Sequence, residues 1–478
     1  MVLQSYGAIS LSQVRTELKG AGASGAISMS QLYEDNSAYL TRGIPSVPTT
    51  GSVLPVSSMY SKQKALTPGL TWKAYSGYFG DAVNIAGTND DVTWFASRSY
   101  TAIGLTTDFT NIATATNNTY TVNGQTTYSV EWFGYFRANA TGTWTFGINS
   151  DDAGYVWIGS NALSGYTVAN SSPKYPGLHG ASAEQTATVS MTSGTYYPIR
   201  IQFGQNAGGV DCSVSFTPPS GSRSINWTGY AFSSTGGNVS YPAESAQVIR
   251  GIFMTNSNGV YYVNVNGSGT AAYCMMDTTY DGGGWMMLLK ATRGSTFTYA
   301  STYWTGVNTL NPTDTTTADG DAKYNTYNYS RVKDLLAIWP DMGVTGGSIA
   351  TPDSGYWTWL YNNCYSSGVR AVGTSIFTQD VDASPATPST FAGFNSSKFS
   401  LDGYNRHVIG NSLHLYSGIW LTSRWGFVSN GESDWGSCDN VSGIGLGSYG
   451  GSAWSPSLSS GSFSWGTSSP YRVMIFGR

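Results

Sequence analysis

Alternation of apolar and polar residues with a period of two is the feature that most constrains the fold of this chain. In TWTFGI (residues 143–148), Trp144, Phe146 and Ile148 fall on one side of an extended backbone. YPIRIQF (197–203) repeats the pattern, with Tyr, Ile, Ile and Phe at every second position. Such runs are typical of strands that bury one face, so the pattern predicts an antiparallel β-sandwich here.

Composition extends this expectation to the rest of the chain. The 478 residues include 59 Gly, 33 Tyr and 16 Trp, and only 10% are charged. This mixture favours short strands joined by polar turns, with few helices. At roughly 150 residues per domain, the length predicts about three domains.

Charge and hydropathy exclude several classes of partner. Lysine and arginine number 23 against 27 acidic residues, and no basic cluster is present, so we expect no nucleic-acid partner. No run of eighteen apolar residues occurs, and the start MVLQSYGAIS lacks the pattern of an export signal, so we expect neither membrane insertion nor secretion. Four cysteines are too few for disulfides to be the main framework.

The first segment contains a short internal repeat. GAISLSQ (7–13) and GAISMSQ (25–31) each carry a serine and a glutamine in capping-box positions, which predicts two short helices, and LPVSSMYSK (54–62) predicts a third helical turn. These phrases resemble the N-terminal segment of structural proteins of tailed phages of aquatic bacteria. The resemblance implies that residues 1–65 anchor the chain to other virion proteins. The alternative is that the phrases only cap helices of a local domain.

Two adjacent carboxylates stand between apolar runs in INSDDAGYVWIG (148–159). Asp151 and Asp152 repel one another, so water, hydrogen-bond donors or a cation must neutralise them. A solvated turn is one interpretation, since Asp is common in turns. A cation site is the other.

The surroundings of this pair resemble the lectin domain of the yeast flocculins, which belongs to the protective-antigen-type β-sandwich superfamily. The resemblance spans about residues 69–234 and is carried by EWFGYFRANATGTWTFGINSDDAGYVWIG (131–159) and YYPIRIQFGQNAGG (196–209). It implies that calcium is bound by Asp151, Asp152 and Asn206, with main-chain carbonyls of Gly208 and Val210, and that the calcium in turn binds vicinal sugar hydroxyls. Oxygen donors of this kind suit calcium. The cysteines that tie the termini of the flocculin domain have no counterparts here.

Aromatic residues near the pair are candidates for stacking on a sugar ring. Tyr155, Trp157 and Tyr166 can serve in this way. For Trp157, the alternation with the strand period favours core packing equally. Cys212 continues an alternating run, so we expect a core position for it.

The last part of the chain, about residues 247–478, resembles a fibrinogen-like recognition domain, closest to the intelectin-like and phage-borne branch. NGVYYVNVNGSGTAAYCMMDTTYDGGGWMMLLK (258–290) carries this resemblance. It implies calcium in a late acidic loop, here NGESDWGSCDNVSG (430–443), and an aromatic wall for a sugar. The implied metal ligands are Glu432, Asp434, Asp439 and Asn440, and the aromatic candidates are Trp435, Tyr449 and Trp454. A solvated loop is the alternative, and Cys364 and Cys438 either pair or remain free thiols.

Catalytic patterns are absent from the sequence. The three histidines do not form an H-E-x-x-H motif, and neither a G-x-S-x-G elbow nor a P-loop occurs. Neighbouring carboxylates such as Asp151 and Asp152 rarely flank a scissile bond. We therefore expect no enzyme activity.

The sequence thus predicts a mainly β protein in three segments. A short helical anchor (1–65) precedes an antiparallel β-sandwich lectin-like domain (66–236) and an α+β fibrinogen-like domain (237–478). The predicted function is a phage virion adhesin, present in several copies or as a homo-oligomer, that binds host-surface carbohydrate through calcium. A structural or decoration protein of tail or capsid and a secreted cellular adhesin are the alternatives.

Overall fold

The computed structural model describes residues 65–79, 94–95, 98–106, 126–278, 282–292, 294–297, 301–332, 334–338 and 472–478 with their side chains. For a further set of strands, given below, it describes the backbone alone. The helices predicted for residues 1–65 lie outside the described residues. The predicted division into three segments stays a prediction.

The described chain forms two compact units. The first runs to Thr255 and includes Tyr261–Gly269, and the second contains Asn256–Val260 and the residues from Thr270 onward. The strands of the first unit are β1 Leu66–Pro68, β2 Leu70–Ser76, β3 Ala102–Thr106, β4 Tyr128–Arg137, β5 Gly142–Asp151, β6 Gly154–Ile158, β7 Lys174–Tyr175, β8 Gln185–Met191, β9 Tyr196–Gln205, β10 Asp211–Thr217 and β11 Ala231–Ser234. Its helical elements are two 3₁₀ turns, Ser160–Ala162 and Val168–Asn170, and the helix α1 Ala246–Phe253.

These strands form two antiparallel sheets. The larger has the order β1-β11-β4-β9-β6-β7, with β2 also paired to β4 and β3 to β2, and the smaller has the order β10-β5-β8. Their facing sides share one core, in which Trp132 and Ile201 of the larger sheet pack with Trp144, Phe146 and Val214 of the smaller. The period-two alternation therefore builds the predicted sandwich.

The outer face of the larger sheet is also covered. Tyr75, Phe79, Tyr155, Trp157 and Tyr166 form a second apolar cluster there. Because both faces of this sheet are buried, outward-facing positions on its central strands are occupied by aromatic residues as well as polar ones.

A buried ion-pair network lies on the same outer face. Arg200 Nη1 donates to Glu131 Oε2 at 2.6 Å, and Arg200 also pairs with Glu244, just before α1. The hydroxyl of Tyr75 donates to the other oxygen of Glu131 at 2.7 Å. Arg200 is 2% exposed, so its charge depends on these carboxylates for neutralisation.

The elements that follow α1 in the chain are β12 Gly259–Val265, β13 Ser268–Met275, β14 Trp285–Ala291, α2 Thr302–Thr305, β15 Ala322–Lys323, α3 Asn325–Tyr329, β16 Leu335–Trp339, β17 Tyr356–Leu360, β18 Asn405–Tyr416, β19 Ile419–Asn430, β20 Asn440–Ile444, β21 Ser460–Ser464, β22 Thr467–Ser469 and β23 Val473–Gly477. One sheet has the order β12-β13-β14-β23-β16-β17, in which β15 also pairs with β14. The strands β18 to β22 form a five-stranded sheet described by its backbone.

The predicted fold class, mainly β with antiparallel sheets and few helices, is confirmed for the described residues. No helix among them has the length and apolar character needed to cross a membrane.

Candidate functional site

The adjacent aspartates lie where β5 ends. Trp144, Phe146 and Ile148 anchor β5 in the core, and the strand ends at Asp151, with Asp152 directly after it. The peptide bond between the two aspartates is cis. Asp152 is 6% exposed, whereas Asp151 is half-buried. The packing of β5 therefore places the pair at one end of the sandwich.

Asp152 links the pair to two other loops. Its Oδ2 accepts a hydrogen bond from the backbone N–H of Asn206 at 2.8 Å, and its Oδ1 accepts one from the backbone N–H of His179 at 3.1 Å. Thr127 Oγ1 donates to the carbonyl oxygen of Asn206 at 2.6 Å. Asp152 and Asn206, predicted from the sequence to act together, are thus in direct contact. The backbone of Asn206 is fixed by these bonds.

The loop between β9 and β10 forms one wall of the site. Gln205 Nε2 donates to the carbonyl oxygen of Gly209 at 2.7 Å, which fixes the turn between Gly208 and Val210, whose carbonyls the flocculin resemblance implies as ligands. A Cβ on Gly209 would lie 3.0 Å from Asp151 Oδ2, so the loop backbone passes close to this carboxylate. Gly208 has φ +84°, a conformation that favours glycine.

Asp211 adds a third carboxylate that the sequence analysis missed. It is the cross-strand partner of Asp151 in the pairing of β10 with β5. Burial and the charge of Asp152 raise the pKa of Asp151, despite the opposing hydrogen bond from the backbone of Ala181. Burial and the charge of Asp151 raise the pKa of Asp211. These shifts have the direction expected for partly buried carboxylates with like-charged neighbours.

The loop between β7 and β8 forms the remaining wall, which the sequence analysis also missed. The ring of His179 stacks on that of Tyr175 with centroids 3.7 Å apart. Ser182 N–H donates to Asn149 Oδ1 at 3.2 Å, so this loop is tied to β5 as well as to Asp152. His179 stands far from the aspartates in the sequence, and no local pattern marks it as their neighbour.

The expectation that Tyr155 and Tyr166 stack on a sugar does not agree with their placement. Tyr155 is 0% exposed and packs against Phe79 and Trp157, and Tyr166 is 8% exposed with its ring over the guanidinium of Arg200. Neither ring offers a free face. The reason is the covered outer face of the larger sheet, which the strand period alone does not reveal.

The second predicted site falls largely outside the described residues. This holds for Glu432, Asp434, Asp439, Trp435, Tyr449 and Trp454, as well as for Cys364 and Cys438. Asn440 begins β20, where its backbone pairs with Ser429 and Ser464, and its side chain lies outside the described part.

The side chains that the structure describes contain no cluster of three or more His, Cys, Asp or Glu arranged to hold a metal. A metal at the Asp151 site would therefore need amide or carbonyl oxygens in addition to carboxylates. Cys212 is a free thiol in the core, as expected, and burial raises the pKa of its thiol well above the usual value. Cys274 is also buried.

Comparison with known proteins places this site within a recognised domain. Residues 128–218 match the family model described as GLEYA domain. A curated relative, the "Putative cell agglutination protein pfl4" of Schizosaccharomyces pombe, is 34% identical over 107 residues, which are 21% of this chain and 17% of the length of that protein.

Two solved structures are similar over about a third of the chain. The Epithelial Adhesin 9 A domain from Candida glabrata, in complex with Galβ1-4GlcNAc, is 18% identical with a TM-score of 0.27 and covers 36% of this chain and 91% of that one. A PA14 sugar-binding domain from an RTX adhesin is 13% identical with a TM-score of 0.28 and covers 35% and 99%. The segment 128–218, which carries Asp151, Asp152, Asn206 and Asp211, is therefore similar in sequence to the GLEYA domain.

Proposed function

We propose that the first unit binds cell-surface glycans at the end of the sandwich where Asp152 holds the other loops, with calcium as the bridging ion. The observation that carries the proposal is the carboxylate of Asp152, which bonds the backbones of both Asn206 and His179. The match to the GLEYA domain supports the class of ligand. The similar adhesin domain of Candida glabrata was solved in complex with a galactose-containing disaccharide.

The residues present fit calcium on their chemistry. Asp151, Asp152 and Asn206 supply carboxylate and amide oxygens, which calcium prefers. Asp211 is the cross-strand partner of Asp151 and Asp152 is its neighbour in sequence, and a divalent cation would relieve the repulsion among these carboxylates. Each oxygen of Asp152 retains a second lone pair beyond its bond to a backbone N–H.

The parts of the site have separate tasks in this proposal. Asp151 and the side chain of Asn206 would hold the ion, Asp152 would hold both the ion and the loops, and bound calcium would supply open positions for vicinal sugar hydroxyls. The stacked rings of Tyr175 and His179 form the wall beside them. We propose binding without catalysis.

For the whole chain we propose display on a phage particle. The N-terminal phrases support an anchor, and the resemblance of residues 247–478 to fibrinogen-like domains supports a second recognition unit. Many copies on one particle would raise avidity through effective concentration, even if single sites are weak.

The test is binding of the full-length protein to host-cell envelopes and to a glycan array, with calcium and with chelator. We expect calcium-dependent binding that a free sugar competes away. Asp151→Ala and Asn206→Ala should each abolish it. Asn139→Ala is the matched control, since Asn139 is exposed in the turn before β5, at the opposite end of that strand from Asp151. Absence of binding in both conditions would favour a structural role.

The anchor is tested separately by removing residues 1–62. Ala65 must be retained because its carbonyl accepts the backbone N–H of Thr235 at 3.0 Å. The truncated protein should keep calcium-dependent glycan binding but fail to enter particles. Normal incorporation would refute the anchor.

A further inference from the structure

A buried lysine lies at the centre of the second unit. Lys290 is in β14, whose seven residues are all buried, and its side chain is 2% exposed. An ammonium group in such a place must find oxygen partners to replace water. The polar partners come from the loop between α2 and β15.

Three oxygens of this loop surround the ammonium. Lys290 Nζ donates to Asp314 Oδ2 at 2.6 Å, to the carbonyl oxygen of Thr316 at 3.1 Å and to that of Ala318 at 3.0 Å. An ammonium group has three N–H donors, so these three hydrogen bonds use all of them. Alternate residues along the loop therefore point oxygen atoms at one cation, as residues do in loops that bind metal ions.

The loop is held in this shape by its own hydrogen bonds. Thr316 donates to Asp314 Oδ1 through its backbone N–H at 3.2 Å and through Oγ1 at 2.6 Å, which orients the carboxylate toward Lys290. Tyr324 Oη donates to the carbonyl oxygen of Asp314. At the end of the loop, Asp321 accepts the backbone N–H of Thr292 at 2.8 Å. The oxygen atoms are thus positioned by the loop as well as by the lysine.

The size and charge of the cradle select a kind of cation. The distances from Lys290 Nζ to the two carbonyl oxygens, 3.1 and 3.0 Å, exceed the distances of about 2.0–2.6 Å at which magnesium and calcium bind oxygen. The distance to Asp314 Oδ2, 2.6 Å, lies at the upper end of that range. One carboxylate and two carbonyl groups carry a single negative charge. A monovalent cation of the size of ammonium or potassium matches both properties.

We propose that the loop 314–318 is a binding site for one monovalent cation and that the ammonium of Lys290 is its built-in occupant. The second unit supplies this cation from its own chain and does not take it from solution. Removing the ammonium converts the loop into a site for free ammonium or potassium.

The experiment uses full-length Lys290→Met, which keeps most of the apolar stem and removes the ammonium. Thermal unfolding is followed in ammonium chloride and in choline chloride at matched ionic strength, because choline is too large for the cradle. In choline we expect a Tm lower than that of the wild type by on the order of 10 °C, as for the loss of one partner of a buried ion pair. Ammonium should restore at least half of the loss, whereas the wild-type Tm should be the same in both salts.

Two controls separate a cation site from general salt effects. Lys323→Met removes another buried ammonium, which donates to the Gly306 carbonyl oxygen and lies over the ring of Tyr327, and should show no preference for ammonium. The double variant Lys290→Met with Asp314→Asn should lose the rescue. Equal Tm values of Lys290→Met in the two salts, or failure to refold in either salt, would overturn the proposal; refolding in ammonium alone would support it.

Discussion

At the end of the first unit, Asp151 faces a second carboxylate, Asp211, across paired strands, whereas in the second unit Asp314 faces the ammonium of Lys290. Burial raises the pKa of both Asp151 and Asp314, whereas the neighbouring groups shift the two pKa values in opposite directions. Burial and the charge of Asp152 raise the pKa of Asp151. For Asp314, hydrogen bonds from Lys290 and Thr316 outweigh the effect of burial and lower the pKa. The charge of the neighbouring groups, rather than the presence of aspartates, distinguishes the two loops.

The largest expected effect comes from Asp314→Asn, which leaves the buried ammonium of Lys290 without a carboxylate. Loss of one partner of a buried pair costs about 3 kcal/mol, at the lower end of the usual range because Asp314 is 37% exposed. This loss of unfolding free energy is measured by chemical denaturation, together with hydrogen exchange of peptides from β14. Calcium should not restore the loss. If Asp314→Asn is as stable as the wild type, the carboxylate of Asp314 does not stabilise the buried ammonium of Lys290.

Calcium should stabilise the first unit through the site at Asp151 and should leave the loop of Asp314 unaffected. At a concentration of 100 times Kd, binding to the folded state adds about 2.7 kcal/mol. Hydrogen exchange should slow in peptides of β5 and β10 and stay unchanged in β14. Asp151→Ala and Asn206→Ala should remove the protection and Asn139→Ala should retain it. If calcium slows hydrogen exchange in β14, the loop of Asp314 also responds to calcium, contrary to this prediction.

A smaller effect is expected when a lysine is placed opposite Asp151. Asp211→Lys places an ammonium opposite Asp151, and cross-strand pairs of opposite charge contribute about 0.2–1 kcal/mol. In chelator the variant should be more stable than the wild type, and its stabilisation by calcium should be reduced. Asp211→Asn, which removes the repulsion without adding an attraction, should lie between the two. A Tm of Asp211→Lys below the wild type in chelator would show that Asp211 is not repelled by Asp151.

The smallest effect concerns pH. The folded-state pKa of Asp314 is below its ordinary value of 3.8, so its contribution to stability is present above that value and is lost as the pH falls through the lower folded-state pKa. The difference in unfolding free energy between wild type and Asp314→Asn should therefore shrink below about pH 3.8. Denaturant unfolding between pH 5 and 2 measures this difference. If this difference grows on acidification, the pKa of Asp314 is raised and not lowered in the folded state.

The sequence predicts the strands more fully than the contacts between them. Period-two alternation suffices for β5 and β9 because each buries one face in a common core. Nearness in sequence to the aspartate pair is misleading for Tyr155 and Tyr166, since both lie in the apolar cluster that covers the outer face of the larger sheet. The pairing of Asp152 with Asn206 could be anticipated only through resemblance to a known family.

Other members of the site had no signal in the sequence. Asp211 becomes a neighbour of Asp151 through the register of β10 against β5. His179 reaches Asp152 through a loop whose path no short motif specifies. Lys290 reads as one polar residue in an apolar strand, and its partners Thr316 and Ala318 act through the main chain, which carries no residue signature.

The ion pair between Arg200 and Glu244 has a consequence for how such a domain can be inherited. The family match ends at residue 218, yet the guanidinium buried in β9 is partly neutralised by a carboxylate that lies beyond it. A recombination event that transferred only the matched segment to another gene would leave Arg200 with Glu131 as its acidic partner from this network. A transferable module that keeps this network therefore has to extend at least to Glu244, which lies just before α1.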